Sequence, residues 1–392
     1  MTTKTRILSI DILRGIIMVI MALDHVRDFF HESAMTADPL DVASTNGPLF
    51  FTRWITHFCA PTFLFLSGLS TYVAGQGKNA GEYSNFIIKR GLFLVAFELL
   101  IMNPIFSFNP FFNFIFLQVI WAIGMSMIVL GLLMKTSYKL IFILGLILVF
   151  GHNVLDGIAL QQGSIGDTLL KIFLTGSGTI VPISATRVVL FAYTILPWTG
   201  IMMLGYSLGK WYEIGFDEQK RRKSLLALGV TAVVGFVVIR FINIYGDPRP
   251  WTHQIESMRT LFSFLNVAKY PPSLVFTLMT VGPGLIILSF TEKTKNALSE
   301  FFMTYGRTPL FYFAVHFFLV HLLETIAFFA TGHNFSQAID PQSPFLFRPT
   351  NFGFSLTTVY LIWASVVLAL YYPCKWFYTW KRARKSAIWK YI

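Results

Sequence analysis

Charge and cysteine are both scarce in this chain of 392 residues. Only 13% of the residues are Asp, Glu, Lys or Arg, about half the share of a soluble globular protein. The two cysteines are Cys59 and Cys374. The first shortage excludes a cytosolic enzyme, and the second excludes a disulfide framework or a cysteine zinc site. A phosphate-cradling P-loop, a dinucleotide fingerprint and a zinc-protease helix motif are also missing. ATP-driven transport by this chain alone is therefore not expected. No linker separates soluble domains and no internal repeat recurs, so residues 1–392 are read as one membrane domain.

Apolar surface is what the chain has in excess. Hydrophobic residues make up 55% of it and 41 are Phe, with a mean hydropathy of +0.62. One or two water-soluble cores cannot hide that load, nor is it the composition of a disordered chain; the lipid bilayer is the expected solvent. Ten apolar segments are long enough, or nearly so, to cross it: about 7–29, 53–75, 91–108, 111–134, 140–156, 188–209, 224–245, 271–291, 308–330 and 351–374. These runs are too long for barrel strands and lipid leaves no backbone group unpaired, so the fold is expected to be all-α, with about ten transmembrane helices.

The net charge of +12 would suggest nucleic acid in a soluble protein. Here the basic residues sit in short tracts between apolar runs, so no nucleic acid partner is expected. With a cytoplasmic N-terminus, 21 Lys and Arg fall inside, Lys4, Lys385 and Lys390 among them, and 8 fall outside. Both termini are therefore placed in the cytoplasm. Lys4 and Arg6 precede an apolar run as in a signal peptide. That run continues into Leu23-Asp24-His25 without a small-residue cleavage pattern, so it is read as a retained anchor. The Lys381-Arg382-Ala383-Arg384-Lys385 tail reads as a stop anchor on anionic lipid. Outside connections at about 30–52, 157–187, 246–270 and 331–350 are long and rich in Gly, Pro and aromatics.

Ionisable residues inside apolar runs are costly and are usually kept for function. The first segment ends in Asp24-His25-Val26-Arg27-Asp28, with His31 beyond. Asp24 and Asp28 share a helix face, so the cluster is either a reactive site or an interfacial ion-pair network. His57, in Arg53-Trp54-Ile55-Thr56-His57, returns to a similar depth. Two histidines with a carboxylate could hold zinc, or act as a base and its orienting partner. His57 alone reads equally as a core histidine bonded to a carbonyl. Ser67-Gly68-Leu69-Ser70 suits close helix packing. In the ninth segment Pro309 fits a first helical turn, Arg307 stands at its mouth, His316 lies mid-span, and His321 and Glu324 lie further out. The alternative for His316 is an interhelical hydrogen bond. Lys269-Tyr270-Pro271-Pro272-Ser273 opens the eighth segment, where the Pro-Pro turn aims the Lys269 ammonium. Trp198 beside Pro197 reads as an interfacial belt residue or a substrate contact.

Taken together, Ser9-Ile10-Asp11-Ile12-Leu13-Arg14-Gly15, the Asp24-His25 helix end and Phe63-Leu64-Phe65-Leu66-Ser67-Gly68 resemble the transmembrane acyltransferases. The nearest likeness is to bacterial relatives of heparan-α-glucosaminide N-acetyltransferase, and Lys269–Ser273 and Tyr305–His316 are similar to later signatures of that group. The resemblance implies a bacterial cytoplasmic-membrane enzyme that moves an acetyl group from cytosolic acetyl-CoA to a sugar amine or hydroxyl outside. Acetyl-CoA is then the donor, and no metal is expected. In the broader superfamily a catalytic His maps onto His25; in the lysosomal heparan enzyme the key His lies nearer His31, and an Asn stands close to Asp24. Both histidines stay candidates, with Asp24 or Asp28 stabilising a protonated His25 and His57 orienting the acceptor. Direct transfer and an acyl-His intermediate are both open.

On the same reading Arg14, Lys89, Arg90, Arg307 and His316 bind the donor, although Asp11 can neutralise Arg14. Arg27, Arg53, Lys269, Tyr270 and Trp198 face the acceptor. A homodimer is compatible with the sequence. A proton-coupled transporter or exporter of a small polar or lipid-linked solute is the rival reading, though no interrupted helices match between two halves. A silent membrane scaffold is opposed by the isolated polar residues of the first and ninth segments.

Overall fold

The computed structural model describes residues 6–384 and residue 391; Lys4, Lys385 and Lys390 of the basic tally lie outside the described residues. Helix α1 spans Leu8–Phe30, and α2 (Gly47–Thr56) and α3 (Cys59–Gly75) follow with a break at His57 and Phe58. Next, α4 (Ala80–Phe97) passes through a π-helical turn, Glu98–Met102, into α5 (Asn103–Ser107). Strand β1 (Phe114–Leu117) leads into α6 (Val119–Leu133), and α7 (Tyr138–Leu146) continues through irregular turns to Leu155. Then come α8 (Ile165–Leu170), β2 (Thr179–Ser184), β3 (Arg187–Phe191) and α9 (Leu196–Leu208). The chain closes with α10 (Glu218–Ile242), α11 (Ser257–Leu265), α12 (Leu274–Thr291), α13 (Ala297–Gly306), α14 (Pro309–Ala330) and α15 (Leu356–Arg382).

Each of the ten expected segments contains helix. Among the described residues, six helical stretches are long and apolar enough to cross a membrane: Gly47–Gly75, Tyr138–Leu155, Glu218–Ile242, Leu274–Thr291, Pro309–Ala330 and Leu356–Arg382. α1 is long enough but carries Asp11, Arg14, Asp24, Arg27 and Asp28. α6 and α9 have only 15 and 13 residues, because the apolar runs around them begin as strand.

The all-α expectation is corrected by a three-stranded sheet of order β1-β3-β2. β1 runs parallel to β3, with Phe114 opposite Val188 and Leu117 opposite Phe191; β2 is antiparallel to β3. Periodicity cannot tell a short apolar strand from buried helix. A distant side chain helps decide it here. The Asn103 carboxamide accepts from Phe116 N at 2.6 Å and donates to Phe116 O at 3.1 Å, bracketing β1 as a further strand would. Non-helical backbone at membrane depth is tolerated where protein buries it or it lines a cavity, and this sheet does line one.

α1 runs through the middle of the protein, against α2, α3, α12, α13, α14 and α15. Small residues bring the backbones together. A Cβ on Gly15 would fall 1.8 Å from the Phe302 carbonyl oxygen, and one on Gly306 1.9 Å from that of Asp11. α3 meets α9 in the same way, Gly68 against Met202 and Gly205 against Phe65. Without a hydrophobic drive between helices in lipid, such close approach supplies the dispersion contact that holds them. Loops cap the end of the bundle where α1 terminates. Arg348, fully buried, donates to His31 O at 2.7 Å, Asn266 donates to Leu40 O at 3.0 Å, and Arg259 donates to Val42 O and Ala43 O.

Candidate active site

Two cavities open at opposite ends of α1. The basic cavity, about 490 Å³, lies beside the first turns of α1 and is lined by Arg6, Arg14, Arg90 and Arg307 with Asp11, Ser67 and Ser70. Asp11 is buried and engages two of the guanidiniums: Arg14 at 3.2 Å, and Arg6 through both carboxylate oxygens. Arg14 also donates to Ser70 Oγ at 2.9 Å and Gly306 O at 3.1 Å, so its position is fixed from three sides. Arg307 meets Glu300 at 3.3 Å. Arg90 has no salt bridge among the described residues, and its Nε is buried without a hydrogen bond. Four guanidiniums against one lining carboxylate make a site that wants an anion, and planar guanidinium suits phosphate.

The histidine cavity, about 270 Å³, lies at the other end of α1. Asp24, His25 and Asp28 of α1, Arg53 and Thr56 of α2, Gln118, Tyr193, Lys269 and Tyr270 are its polar walls. Charges are mostly paired here. Asp24 accepts from Arg27 at 3.1 Å and Arg53 at 2.8 Å, and Asp28 from Arg27 at 2.5 Å. The buried Lys269 ammonium lies 5.0 Å from the Tyr270 ring centroid and has no salt bridge among the described residues. Its loop is held from below: Asp247 Oδ2 accepts from Ala268 N at 2.9 Å and Ser273 Oγ at 2.7 Å, and Asn153 accepts from Leu274 N at 2.9 Å. The sheet supplies the opposite wall. Phe116 and Gln118 flank the end of β1, Glu98 pins Gln118 N at 3.0 Å, and Tyr193, just past β3, meets Tyr270 edge-on at 5.2 Å.

The His25 ring is clasped on three sides. Phe317 lies 3.8 Å away between centroids and Phe313 6.1 Å away, edge-on. His316 stacks against it, with His25 Nδ1 to His316 Nε2 at 2.7 Å, and His316 Nδ1 in turn reaches Tyr312 O at 2.8 Å. Phe63 and Val119 line both cavities, and among the described residues they are all that the two walls have in common.

A family model described as heparan-alpha-glucosaminide N-acetyltransferase, catalytic, matches residues 6–241. The chain belongs to this acetyltransferase family. It is a multi-pass integral membrane protein and a transferase. No curated protein matches the chain. The family match covers α1 to α10 and hence Arg14, Asp24, His25, Arg53, His57 and Arg90. Lys269, Arg307 and His316 lie beyond it.

Within this acetyltransferase the residues singled out in the sequence fall into three groups. Asp24, His25, Asp28, Arg53, Lys269 and Tyr270 share the histidine cavity, and Arg14, Arg90 and Arg307 share the basic one. The others line neither. Lys89 is exposed on the neighbouring face of α4. Arg27 is buried behind the two aspartates. Trp198, fully buried between Tyr193 and Phe276, is core rather than interfacial belt. His57 is buried at the α2–α3 break, with Phe276 at 5.5 Å and Nδ1 unpartnered. His31 closes α1, its Nδ1 accepting from Ser33 N at 3.3 Å; burial, with Arg27 and Arg348 nearby, lowers its pKa and keeps it neutral near pH 7. His316 stands at His25 rather than among the guanidiniums. The sequence marks Arg6 only as a flanking cation and Ser70 only as a packing residue, and does not single out Gln118 and Tyr193, because nothing in their local pattern separates them from flank, packing or strand residues.

Proposed function

We propose that the chain transfers an acetyl group from cytosolic acetyl-CoA to an amine or hydroxyl of a sugar on the far side of a bacterial cytoplasmic membrane. The observation that carries this is the pair of cavities meeting at Phe63 and Val119, one crowded with guanidiniums and the other walled by His25. Arg6, Arg14, Arg90 and Arg307 suit the phosphates of the donor. The 21 to 8 excess of Lys and Arg toward that side supports a cytoplasmic basic cavity, ten spans and both termini inside. The thioester arm then reaches past Phe63 while the acceptor enters the histidine cavity, positioned by Arg53, Lys269 and Tyr270.

Chemically, the acceptor N–H or O–H gives its proton to a ring nitrogen of His25 as its heteroatom bonds to the thioester carbonyl carbon. The C–S bond breaks, and the proton passes from His25 to the departing thiolate, which leaves as CoA thiol. The same nitrogen would serve an acetyl-His intermediate, which acid quenching and peptide mapping of labelled protein would reveal. Asp24 helps by charge, since among the described residues its hydrogen bonds go to Arg27 and Arg53 and none joins it to His25.

The test is purified protein in lipid nanodiscs with labelled acetyl-CoA and a panel of amino sugars and glycans. Acetylation of a panel member, cut about 10³-fold in His25→Ala while CoA binding persists, is the expected result. Proton-coupled solute flux without CoA binding would overturn it in favour of a transporter.

A further inference from the structure

The hydrogen-bond chain behind His25 has a direction. Tyr312 O is a carbonyl and can only accept, so His316 Nδ1, 2.8 Å from it, carries the hydrogen. A neutral imidazole bears one N–H, which leaves His316 Nε2 as a lone pair. The partner 2.7 Å away, His25 Nδ1, must then be the donor. His25 is thereby left with an unprotonated Nε2, a ring nitrogen with no hydrogen-bond partner among the described residues, on a side chain that lines the histidine cavity.

We infer that His316 is a positioning residue that fixes the tautomer of His25 and so presents Nε2 to the cavity as the proton acceptor. This rests on the acetyl-transfer reading above. The carboxylates next in sequence do not compete for the task, because Arg27 and Arg53 hold Asp24 and Arg27 holds Asp28. Three side chains of α14, Phe313, His316 and Phe317, sit around the imidazole, so one helix sets both its tilt and its proton. The relay ends at a peptide carbonyl, which does not take up a proton. A proton accepted by Nε2 therefore leaves by Nε2, to the thiolate, and the net step is thioester plus acceptor giving acetylated acceptor plus thiol.

The experiment compares wild type, His316→Leu and His316→Gln in nanodiscs by three readouts. These are CoA affinity by calorimetry, CoA thiol release from acetyl-CoA with glucosamine supplied as acceptor, and ¹⁵N spectra of histidine-labelled protein, with His25 assigned by its loss in His25→Gln. Misplacing a reacting group by about 1 Å costs on the order of 10² in rate, so His316→Leu should lower kcat about 10²-fold and leave CoA affinity within about twofold of wild type. His316→Gln, whose carbonyl oxygen can accept from Nδ1, should regain about tenfold of that. The wild-type spectrum should show His25 protonated at Nδ1, and the Leu variant a mixture of tautomers. A weakened CoA affinity with kcat unchanged would make His316 a donor-binding residue and overturn the inference, as would a wild-type His25 protonated at Nε2. Should His316→Leu fail to fold, the wild-type spectrum and the Gln variant decide it. A wild type that neither binds CoA nor releases thiol would sink the acetyl-transfer reading, while the spectra would still report the tautomer.

Discussion

The two ends of α1 handle charge in opposite ways. Around its first turns four guanidiniums line one cavity, only Arg6 and Arg14 engage the buried Asp11 carboxylate, and the cavity keeps an excess of positive charge. Around its last turns carboxylates and cations are nearly matched, and most are already bonded to one another. Buried unpaired charge is costly, so the first end gains much when an anion arrives. The second gains little from charge and is arranged instead to hold side chains still. On the proposed reading, one end binds and the other reacts.

The largest blow to that contrast should come from His25. Replacing it with Ala removes the base and should cut acetyl transfer by about 10³-fold, within the range for general base catalysis. CoA affinity measured by calorimetry should stay near wild type. An equal loss of both would mean the two ends are not separable. Next in size is Arg90→Ala. A hydrogen bond to a charged group is worth about 1.5–3 kcal/mol, so KM for acetyl-CoA should rise about tenfold to a hundredfold in steady-state assays. The same loss appearing in kcat alone would break the division of labour.

Phe63→Ala tests the boundary. One methylene excluded by a pocket wall is worth at least about tenfold. Removing the ring should therefore raise the rate with propionyl-CoA relative to acetyl-CoA by about that factor, read by competition with the two donors. The smallest effect belongs to the loop cover. The Asp340 carboxylate accepts from Thr350 N, Thr350 Oγ1 and Gln342 N at 2.8 Å each, and these bonds hold its pKa below the usual Asp value. A depressed folded-state pKa gives stability that is present above the unfolded value and lost as pH falls through the folded one. Amide exchange at Gln342 and Thr350, corrected for intrinsic rate, should quicken a few-fold below pH about 3.9, the ordinary Asp value, and be flat at neutral pH.

Much of the helical framework was legible, because a run of about twenty apolar residues has few other uses. Its interruptions were not. Phe114–Leu117 and Arg187–Phe191 are strands inside apolar runs, settled by pairing with each other and by Asn103, contacts that no local pattern announces. The site divides along the same line. Asp24, His25, Arg53 and Lys269 stand out as polar residues in apolar surroundings, and all four share one cavity. Partnerships across the chain stayed hidden: His316 reads as a contact to the acetyl donor or as an interhelical hydrogen bond, and it is the second, but nothing local names its partner as His25, 291 residues away at 2.7 Å. Trp198 misled for a related reason, since a Trp beside Pro is the same signal whether it ends at the headgroups or, as here, in the core.

The apolar wall that the two cavities share bears on the cell's energy supply. Phe63 and Val119, which line both cavities, are apolar, so the wall that the cavities share offers no polar partner to a hydrated ion. On the proposed acetyl-transfer reading, a cell decorates glycans on its exterior with cytosolic acetyl units while the costly nucleotide carrier stays inside.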